Sequence, residues 1–235
     1  MITIPSRPFA PPGSRLRSVK FNGLAGRLEA VVNEASATAR YAAVICHPHP
    51  LGGGTLHNKV VYHAMKALNA PEWGLGWPVL RFNFRGTGLS QGMHDGAAEW
   101  EDVRAALRWL ENEYKLPLVV VGFSFGAVMA LACCCGSESA ARSRSGVKAL
   151  AALGLPVRSS ACTYDYSFLR ACSIAKFFLS GDRDQFAPKT ELIQALADAA
   201  EPKTMALVPG ADHFFTGHLK TMQSALSGWL KEQLA

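Results

Sequence analysis

The sequence lacks the signatures of a chain that spans a membrane or is secreted. No stretch approaches the roughly 18 consecutive apolar residues that a transmembrane helix needs. Residues 1–18 contain prolines and arginines, but no apolar segment of the kind found in a secretory signal. These absences predict a protein without a membrane partner, with the cytoplasm as its default location.

The sequence also has few clusters of like charge. Charged residues make up 18% of the chain, and 24 lysines and arginines against 18 acidic residues give a net charge of +6. A positive balance can favour acidic partners. The basic residues are scattered, however, with one local cluster at Arg142 and Arg144, and no nucleic-acid-binding motif accompanies them. We therefore expect a solvated basic surface and no nucleic acid partner.

The six cysteines lack the spacing of a zinc site or of a disulfide framework. Cys133, Cys134 and Cys135 are consecutive on a predicted helix, where adjacent side chains face different directions. Cys46 ends a predicted apolar strand. We expect free cysteines that serve as small buried hydrophobic residues, in agreement with a reducing compartment.

Apolar runs alternate with helical patterns along most of the 235 residues, of which 49% are hydrophobic. Strands are predicted at residues 16–21, 27–32, 41–46, 78–84, 118–121, 147–153, 174–179 and 204–208. Helices are predicted at residues 59–68, 97–114, 189–199 and 220–234, and directly after Ser124. The pattern predicts one α/β domain over residues 1–235, with an irregular segment at 1–14. Its eight-stranded sheet is mostly parallel, with helices on both faces. No interval is long enough for a lid domain, and residues 154–173 are the one modest candidate.

The strand at 118–121 leads into Gly122-Phe123-Ser124-Phe125-Gly126, a G-x-S-x-G pattern followed by a helix of small and apolar residues. Glycines at these positions permit a sharp strand-to-helix turn that projects the serine hydroxyl out of the sheet. A serine hydroxyl needs a base within hydrogen-bonding distance and an acid that orients the base. Asp182 and Asp184 follow the strand at 174–179, while Asp212 and His213 follow the strand at 204–208. Since parallel strands present their carboxyl ends at one edge, these residues and Ser124 are predicted to meet there.

The order Ser, Asp, His and several motifs resemble the α/β-hydrolase superfamily, in particular the small bacterial hydrolases without a lid that carry an H-P-H-P…G-G motif. The matching segments lie at residues 47–54 (HPHPLGGG), 58–61, 81–92, 122–126, 163–169, 181–188 and 210–215. The resemblance implies an α/β-hydrolase fold, a Ser-His-Asp triad and no cofactor, but it does not imply a substrate.

Carried over to this chain, the resemblance makes Ser124 the nucleophile, His213 the general base and Asp184 the acid. Asp184 lies three residues after Gly181 and four before Pro188, as the acid does in the family. Asp182 is the alternative for that role. Asp212 is expected to be a surface or loop-capping residue.

An oxyanion hole needs two backbone N–H groups that point at the developing negative charge. One is expected from Phe125, the residue after the nucleophile. The loop at 49–53 resembles the H-G-x-G-G loop of the family, which indicates the amide of Leu51 as the second donor, with His49 as the alternative. Pro48 and Pro50 have no N–H to donate.

Two further patterns are weaker. His47 and His49 form an H-x-H pair, but no third ligand lies at a suitable spacing, so no metal is expected. Residues 85–90 resemble the R-G-x-G-x-S loop of the superfamily and lack the Lys-Ser/Thr of a phosphate-binding loop. The other histidines, His57, His63, His94 and His218, are expected to be surface or structural residues.

The resulting hypothesis is a serine hydrolase, in particular a carboxylesterase that acts on a small-molecule ester through an acyl-enzyme. Acyl transfer, thioester hydrolysis or peptide hydrolysis on the same triad is an alternative, and so is a binding protein that uses this fold without catalysis. The oligomeric state is left open.

Overall fold

The computed structural model describes residues 16–235 except 36–37, 74, 137–145 and 159–162. Its centre is an eight-stranded sheet with the order β1-β2-β4-β3-β5-β6-β7-β8. The strands are β1 (Leu16–Gly23), β2 (Gly26–Asn33), β3 (Ala42–Cys46), β4 (Val79–Phe82), β5 (Leu118–Phe123), β6 (Val147–Leu153), β7 (Ala175–Gly181) and β8 (Lys203–Val208). The helices are α1 (Lys59–Asn69), α2 (Trp100–Tyr114), α3 (Phe125–Cys135), α4 (Lys189–Ala195) and α5 (Leu219–Gln233). The predicted α/β fold with a mostly parallel sheet is confirmed.

Strands β3 to β8 run parallel, whereas β1 and β2 form an antiparallel hairpin that pairs with β4 along the outer side of the sheet. The central strands β3 and β5 are buried at every residue, because helices cover both faces of the sheet. Helices α2, α3 and α4 bury one face, and α1 and α5 bury the other. This arrangement explains why the central strands are continuous apolar runs.

The boundaries of one helix and one strand differ from the prediction. The helix predicted from residue 97 begins at Trp100, since the carboxylate of Asp95 accepts the N–H groups of Ala97 and Ala98 and holds them in a turn. The strand predicted to residue 84 ends at Phe82. In both cases the apolar pattern of the sequence extends beyond the residues that form the regular helix or strand.

The expectation that all cysteines are free is wrong at two positions. Cys135, the last residue of α3, forms a disulfide with Cys172, which follows the 3-10 turn Ser167–Ala171. The two residues are 37 apart in the sequence, so no local spacing reveals them, and the fold brings their Cα atoms to 5.2 Å. Cys46, Cys133 and Cys134 are buried as expected, while Cys162 lies outside the described residues. The cysteines therefore no longer support a reducing compartment.

Above the carboxyl edge of the sheet, the described part of residues 154–173 forms one isolated bridge, Arg158 with Thr163, and the short 3-10 turn Ser167–Ala171. Such short elements do not build a lid. None of the helices in the described ranges has the length and hydropathy needed to cross a bilayer. The predicted irregular segment 1–14 and the basic cluster at Arg142 and Arg144 lie outside the described residues.

Candidate active site

Ser124 lies at the sharp turn between β5 and α3. Its backbone has φ 54° and ψ −123°, a conformation that costs a non-glycine residue about 1–3 kcal/mol. The serine N–H donates to the carbonyl of Leu153 at 2.9 Å, which ties the turn to β6. A Cβ on Gly126 would lie 2.4 Å from the carbonyl oxygen of Cys46, so only glycine lets α3 approach the end of β3 this closely. The turn therefore holds the hydroxyl at the carboxyl edge of the sheet.

A continuous chain of hydrogen bonds joins Ser124, His213 and Asp184. The Nε2 atom of His213 lies 2.9 Å from the hydroxyl oxygen of Ser124, and its Nδ1 atom lies 2.8 Å from Oδ2 of Asp184. A carboxylate only accepts hydrogen bonds, so Nδ1 carries the proton and Nε2 of the neutral ring faces the serine as an acceptor. The structure thus brings together the three residues that the sequence assigned to a triad.

Asp184 is held firmly below the histidine. Its Oδ1 accepts the backbone N–H groups of Phe186 and Ala187, and the hydroxyl of Ser180 donates to Oδ2. Both Asp184 and His213 are only 3% exposed. Within a water-poor site these hydrogen bonds are strong and fix the orientation of the imidazole.

Asp182, the alternative acid, and Asp212 both bind backbone N–H groups. Asp182 is exposed, and its carboxylate accepts the N–H of Gly210 at 2.7 Å. Asp212 accepts the N–H groups of Phe214 and Thr216, and the hydrogen bond from Thr216 is the main cause of its lowered pKa. Asp212 thus caps a loop, as expected.

Aromatic rings surround the imidazole of His213. Ring centroids of Phe123, Phe186 and Phe214 lie 5.1, 4.7 and 5.2 Å from it. Phe215 is fully buried in the core, whereas Phe214 is 48% exposed. These rings keep water away from the sides of the imidazole while the serine remains half-exposed.

The loop after β3 presents backbone N–H groups near the serine turn. Leu51 is 84% exposed, and its N–H donates to Nδ1 of His49 at 3.2 Å. No described residue accepts a hydrogen bond from the N–H of His49 or of Phe125. The ring of His49 packs against the ring of Phe125 with centroids 4.9 Å apart. Of these three amides, those of Phe125 and His49 are open among the described residues, whereas that of Leu51 is engaged within its own loop.

His47 supports the same loop from below. It is fully buried, its Nε2 accepts the N–H of Phe84, and its Nδ1 lies 2.6 Å from the carbonyl oxygen of Pro48. Burial lowers the pKa of His47 to about 4. Because backbone groups occupy both ring nitrogens, His47 and His49 do not present two open imidazoles to a metal. Among the described residues, no group of three His, Cys, Asp or Glu side chains has the arrangement of a metal site.

We expect the burial of His47 to make the protein less stable in acid. The unfolded chain takes up a proton on this residue below pH 6.5, whereas the folded protein resists it until about pH 4. Stability should fall across that interval, by about 3 kcal/mol in total from this residue. Urea unfolding measured between pH 7 and pH 4 tests this. His47→Gln keeps an acceptor for Phe84 and does not titrate, so its stability should fall less steeply, and equal slopes would contradict the assignment.

Residues 85–90 form a structural loop rather than a phosphate site. The guanidinium of Arg85 makes a two-pronged ion pair with the fully buried Asp102, which raises the pKa of the arginine. The hydroxyl of Ser90 donates to the carbonyl of Asn83 and accepts the N–H of Glu29. These polar groups are occupied by the protein itself, as expected for a tight loop beside the serine.

One feature near the serine was not predicted. His94 lies against both His49 and Phe125, with ring centroids 4.8 and 5.5 Å away, and its Nδ1 is 2.6 Å from the buried carboxylate of Glu99. The sequence offered no motif for this group, because His94 and Glu99 lie in a loop after β4 and reach the serine turn only through the fold. The five-residue spacing of a histidine and a glutamate carries no signal on its own.

Comparisons with known proteins identify the family of the chain. An alpha/beta hydrolase domain family matches residues 42–232. An uncharacterized protein of Rickettsia prowazekii is 35% identical over 220 residues, which cover 90% of this chain and 87% of that protein. A solved alpha-beta serine hydrolase homologue from Coxiella burnetii shows 31% identity and a TM-score of 0.78, and the match covers 91% of this chain and 97% of the Coxiella chain. A solved a/b serine hydrolase without lid from Xanthomonas campestris shows 26% identity and a TM-score of 0.76, and the match covers 96% of this chain and 97% of the Xanthomonas chain. The chain therefore belongs to the α/β-hydrolase superfamily, among its small members without a lid.

Proposed function

We propose that the protein is a serine hydrolase and, more narrowly, a carboxylesterase for a small ester. The observation that carries the proposal is the hydrogen-bond chain from Asp184 through His213 to Ser124, at 2.8 and 2.9 Å. A base that touches the serine and a buried acid that orients the base are the two requirements for making this hydroxyl a nucleophile.

In the proposed reaction the oxygen of Ser124 attacks the ester carbonyl while Nε2 of His213 takes the hydroxyl proton. The carbonyl π electrons move onto oxygen, and Asp184 stabilises the imidazolium that forms. Collapse of the tetrahedral intermediate breaks the bond to the alcohol, which leaves with the proton from His213. A water molecule, deprotonated by the same imidazole, then attacks the acyl-serine. Collapse of this second intermediate releases the carboxylic acid, and the imidazolium returns its proton to the oxygen of Ser124.

For the oxyanion hole we propose the N–H of Phe125, together with an N–H from the loop after β3. Leu51 was the sequence-based choice for the second donor, but its N–H is bound by the imidazole of His49. The N–H of His49 has no acceptor among the described residues, and its ring packs against Phe125. We therefore favour His49 as the second donor.

The open surface around Ser124 supports a small, accessible substrate. Among the described residues no lid covers the half-exposed serine, and the side chains of Leu51 and Phe214 are 84% and 48% exposed. These apolar groups favour an uncharged ester as the small-molecule partner of the site.

A substrate panel tests the proposal. Aryl esters of two to eight acyl carbons, acyl thioesters and aminoacyl arylamides are assayed with the wild type and with Ser124→Ala. We expect turnover that depends on Ser124 and favours short aryl esters. Preference for thioesters or arylamides would replace the carboxylesterase assignment, and no Ser124-dependent turnover of any class would overturn the hydrolase proposal.

A further inference from the structure

We propose that Gly154 is a positioning residue for the triad, because its lack of a side chain leaves the space in which the imidazole of His213 lies. The catalytic consequence rests on the proposed function, whereas the placement of the imidazole does not. Gly154 directly follows β6, which lies in the sheet between β5, the strand that leads to Ser124, and β7, the strand that leads to Asp184.

Two consecutive residues at the end of β6 hydrogen-bond to the segments on either side. The carbonyl of Leu153 accepts the N–H of Ser124 at 2.9 Å, and the N–H of Gly154 donates to the carbonyl of Leu179 in β7 at 2.8 Å. Within the sheet, Leu153 is in register with Phe123 of β5 and with Leu179. The end of β6 therefore fixes the serine turn relative to the strand that leads to the acid.

The segment that carries the base packs directly against Gly154. A Cβ atom at this position would lie 3.3 Å from both Nδ1 and Cε1 of His213, and 3.1 Å from Cε2 of Phe123. These distances are shorter than an ordinary van der Waals contact, so a side chain here would displace the imidazole by a few tenths of an ångström. Since Nδ1 contacts Asp184 and Nε2 contacts Ser124, the displacement would change both hydrogen bonds of the triad.

The backbone also favours glycine at this position. Gly154 has φ 53°, in the left-handed region that residues with a side chain rarely adopt. A substitution therefore has two effects, a strained backbone that lowers stability and a Cβ contact that displaces the imidazole. The exposed Gly217 offers a control for the first effect alone. It has φ 75°, and a Cβ there would meet no atom of the described residues within 4 Å beyond its chain neighbours.

The variant Gly154→Ala should still fold. Its nearest contacts are with ring atoms at 3.1 and 3.3 Å, which can shift by the small amount required. At Gly181, in contrast, a Cβ would lie 2.1 Å from the backbone oxygen of Ala211, which leaves no such freedom. Gly154→Ala and Gly217→Ala should both unfold at a lower urea concentration than the wild type, since both carry a strained backbone.

Crystal structures of the wild type and of both variants test the placement without any need for turnover. In Gly154→Ala we expect the imidazole of His213 to move, so that at least one of the two triad distances exceeds about 3.2 Å. In Gly217→Ala both distances should remain as in the wild type. An imidazole that keeps its position in Gly154→Ala would overturn the proposal.

Steady-state kinetics with a short aryl ester test the consequence. Gly154→Ala should lower kcat about 10- to 100-fold with KM within about twofold, because a misplaced base weakens proton transfer in the transition state and leaves ester binding unchanged. Gly217→Ala should keep both values within about twofold of the wild type. Equal losses of kcat in the two variants would assign the effect to backbone strain. A loss of kcat/KM that arises from KM would assign it to the substrate pocket, and either result would overturn the positioning role.

A second background separates the contact with His213 from the contact with Phe123. Phe123→Leu removes the ring atom nearest to the added Cβ but leaves the imidazole beside it. Adding Gly154→Ala to this variant should lower kcat about tenfold or more, and the absence of any further loss would contradict the proposal. If the proposed function itself fails, no variant shows Ser124-dependent turnover, while the displacement of the imidazole still stands.

Discussion

Replacing Ser124 with alanine should lower kcat/KM for a short aryl ester by about 10⁴- to 10⁶-fold. The hydroxyl oxygen lies 2.9 Å from Nε2 of His213, so its removal leaves the base without this nucleophile to activate. Residual activity should come from direct attack of water on the bound ester, with the oxyanion donors still stabilising the negative charge that forms. Steady-state kinetics with p-nitrophenyl acetate measure the loss, and a fluorophosphonate probe should label the wild type but not the variant.

The fold of this variant should be intact. Alanine has the same backbone preferences as serine at φ 54°, so the strain of the turn remains and urea unfolding should shift by no more than about 0.5 kcal/mol. Ser224→Ala, at an exposed position on α5, is the matched control and should retain full activity. Labelling of the Ser124→Ala variant would show that the reactive group lies elsewhere. Loss of activity in Ser224→Ala as well would show that the effect is not specific to Ser124.

The sequence predicted the serine turn because its determinants are local. Gly122 and Gly126 lie where the backbone of a neighbouring segment leaves no room for a Cβ atom, so glycine is required at both positions. The apolar runs on either side of the turn are typical of a buried strand and a buried helix, and both elements are buried. The positions of Asp184 and His213 followed from topology, since parallel strands place their carboxyl ends at one edge. Family spacing then favoured Asp184 over Asp182, and the hydrogen bonds to His213 agree with that choice.

The remaining features depend on contacts between distant segments, which no spacing rule encodes. The Cys135–Cys172 disulfide forms because α3 packs against the turn at 167–171. The N–H of Leu51 looks available in the sequence, but its position relative to the imidazole of His49 is decided by a three-residue turn. The contacts of His94 with His49 and with Glu99 require the loop after β4 to fold over the end of β3.

Replacing Asp184 with asparagine should lower kcat about 10⁴-fold with little change in KM. The amide oxygen can still accept the N–H groups of Phe186 and Ala187, so the loop keeps its shape. Its NH₂ group, however, donates toward Nδ1 of His213 and moves the imidazole proton to Nε2. The ring then presents a donor to Ser124 and no longer acts as a base.

Asp182→Asn supplies the matched control, because the same chemical change is made two residues away. Asp182 is exposed and accepts the N–H of Gly210, a role that an amide oxygen can take over, so kcat should stay within about twofold of the wild type. Both variants are compared by pre-steady-state burst kinetics, which separate acylation from product release. Acylation should be slow in Asp184→Asn alone. If Asp182→Asn were the slow variant, Asp182 would be the acid, and the observed hydrogen bond between Asp184 and His213 would have to be structural.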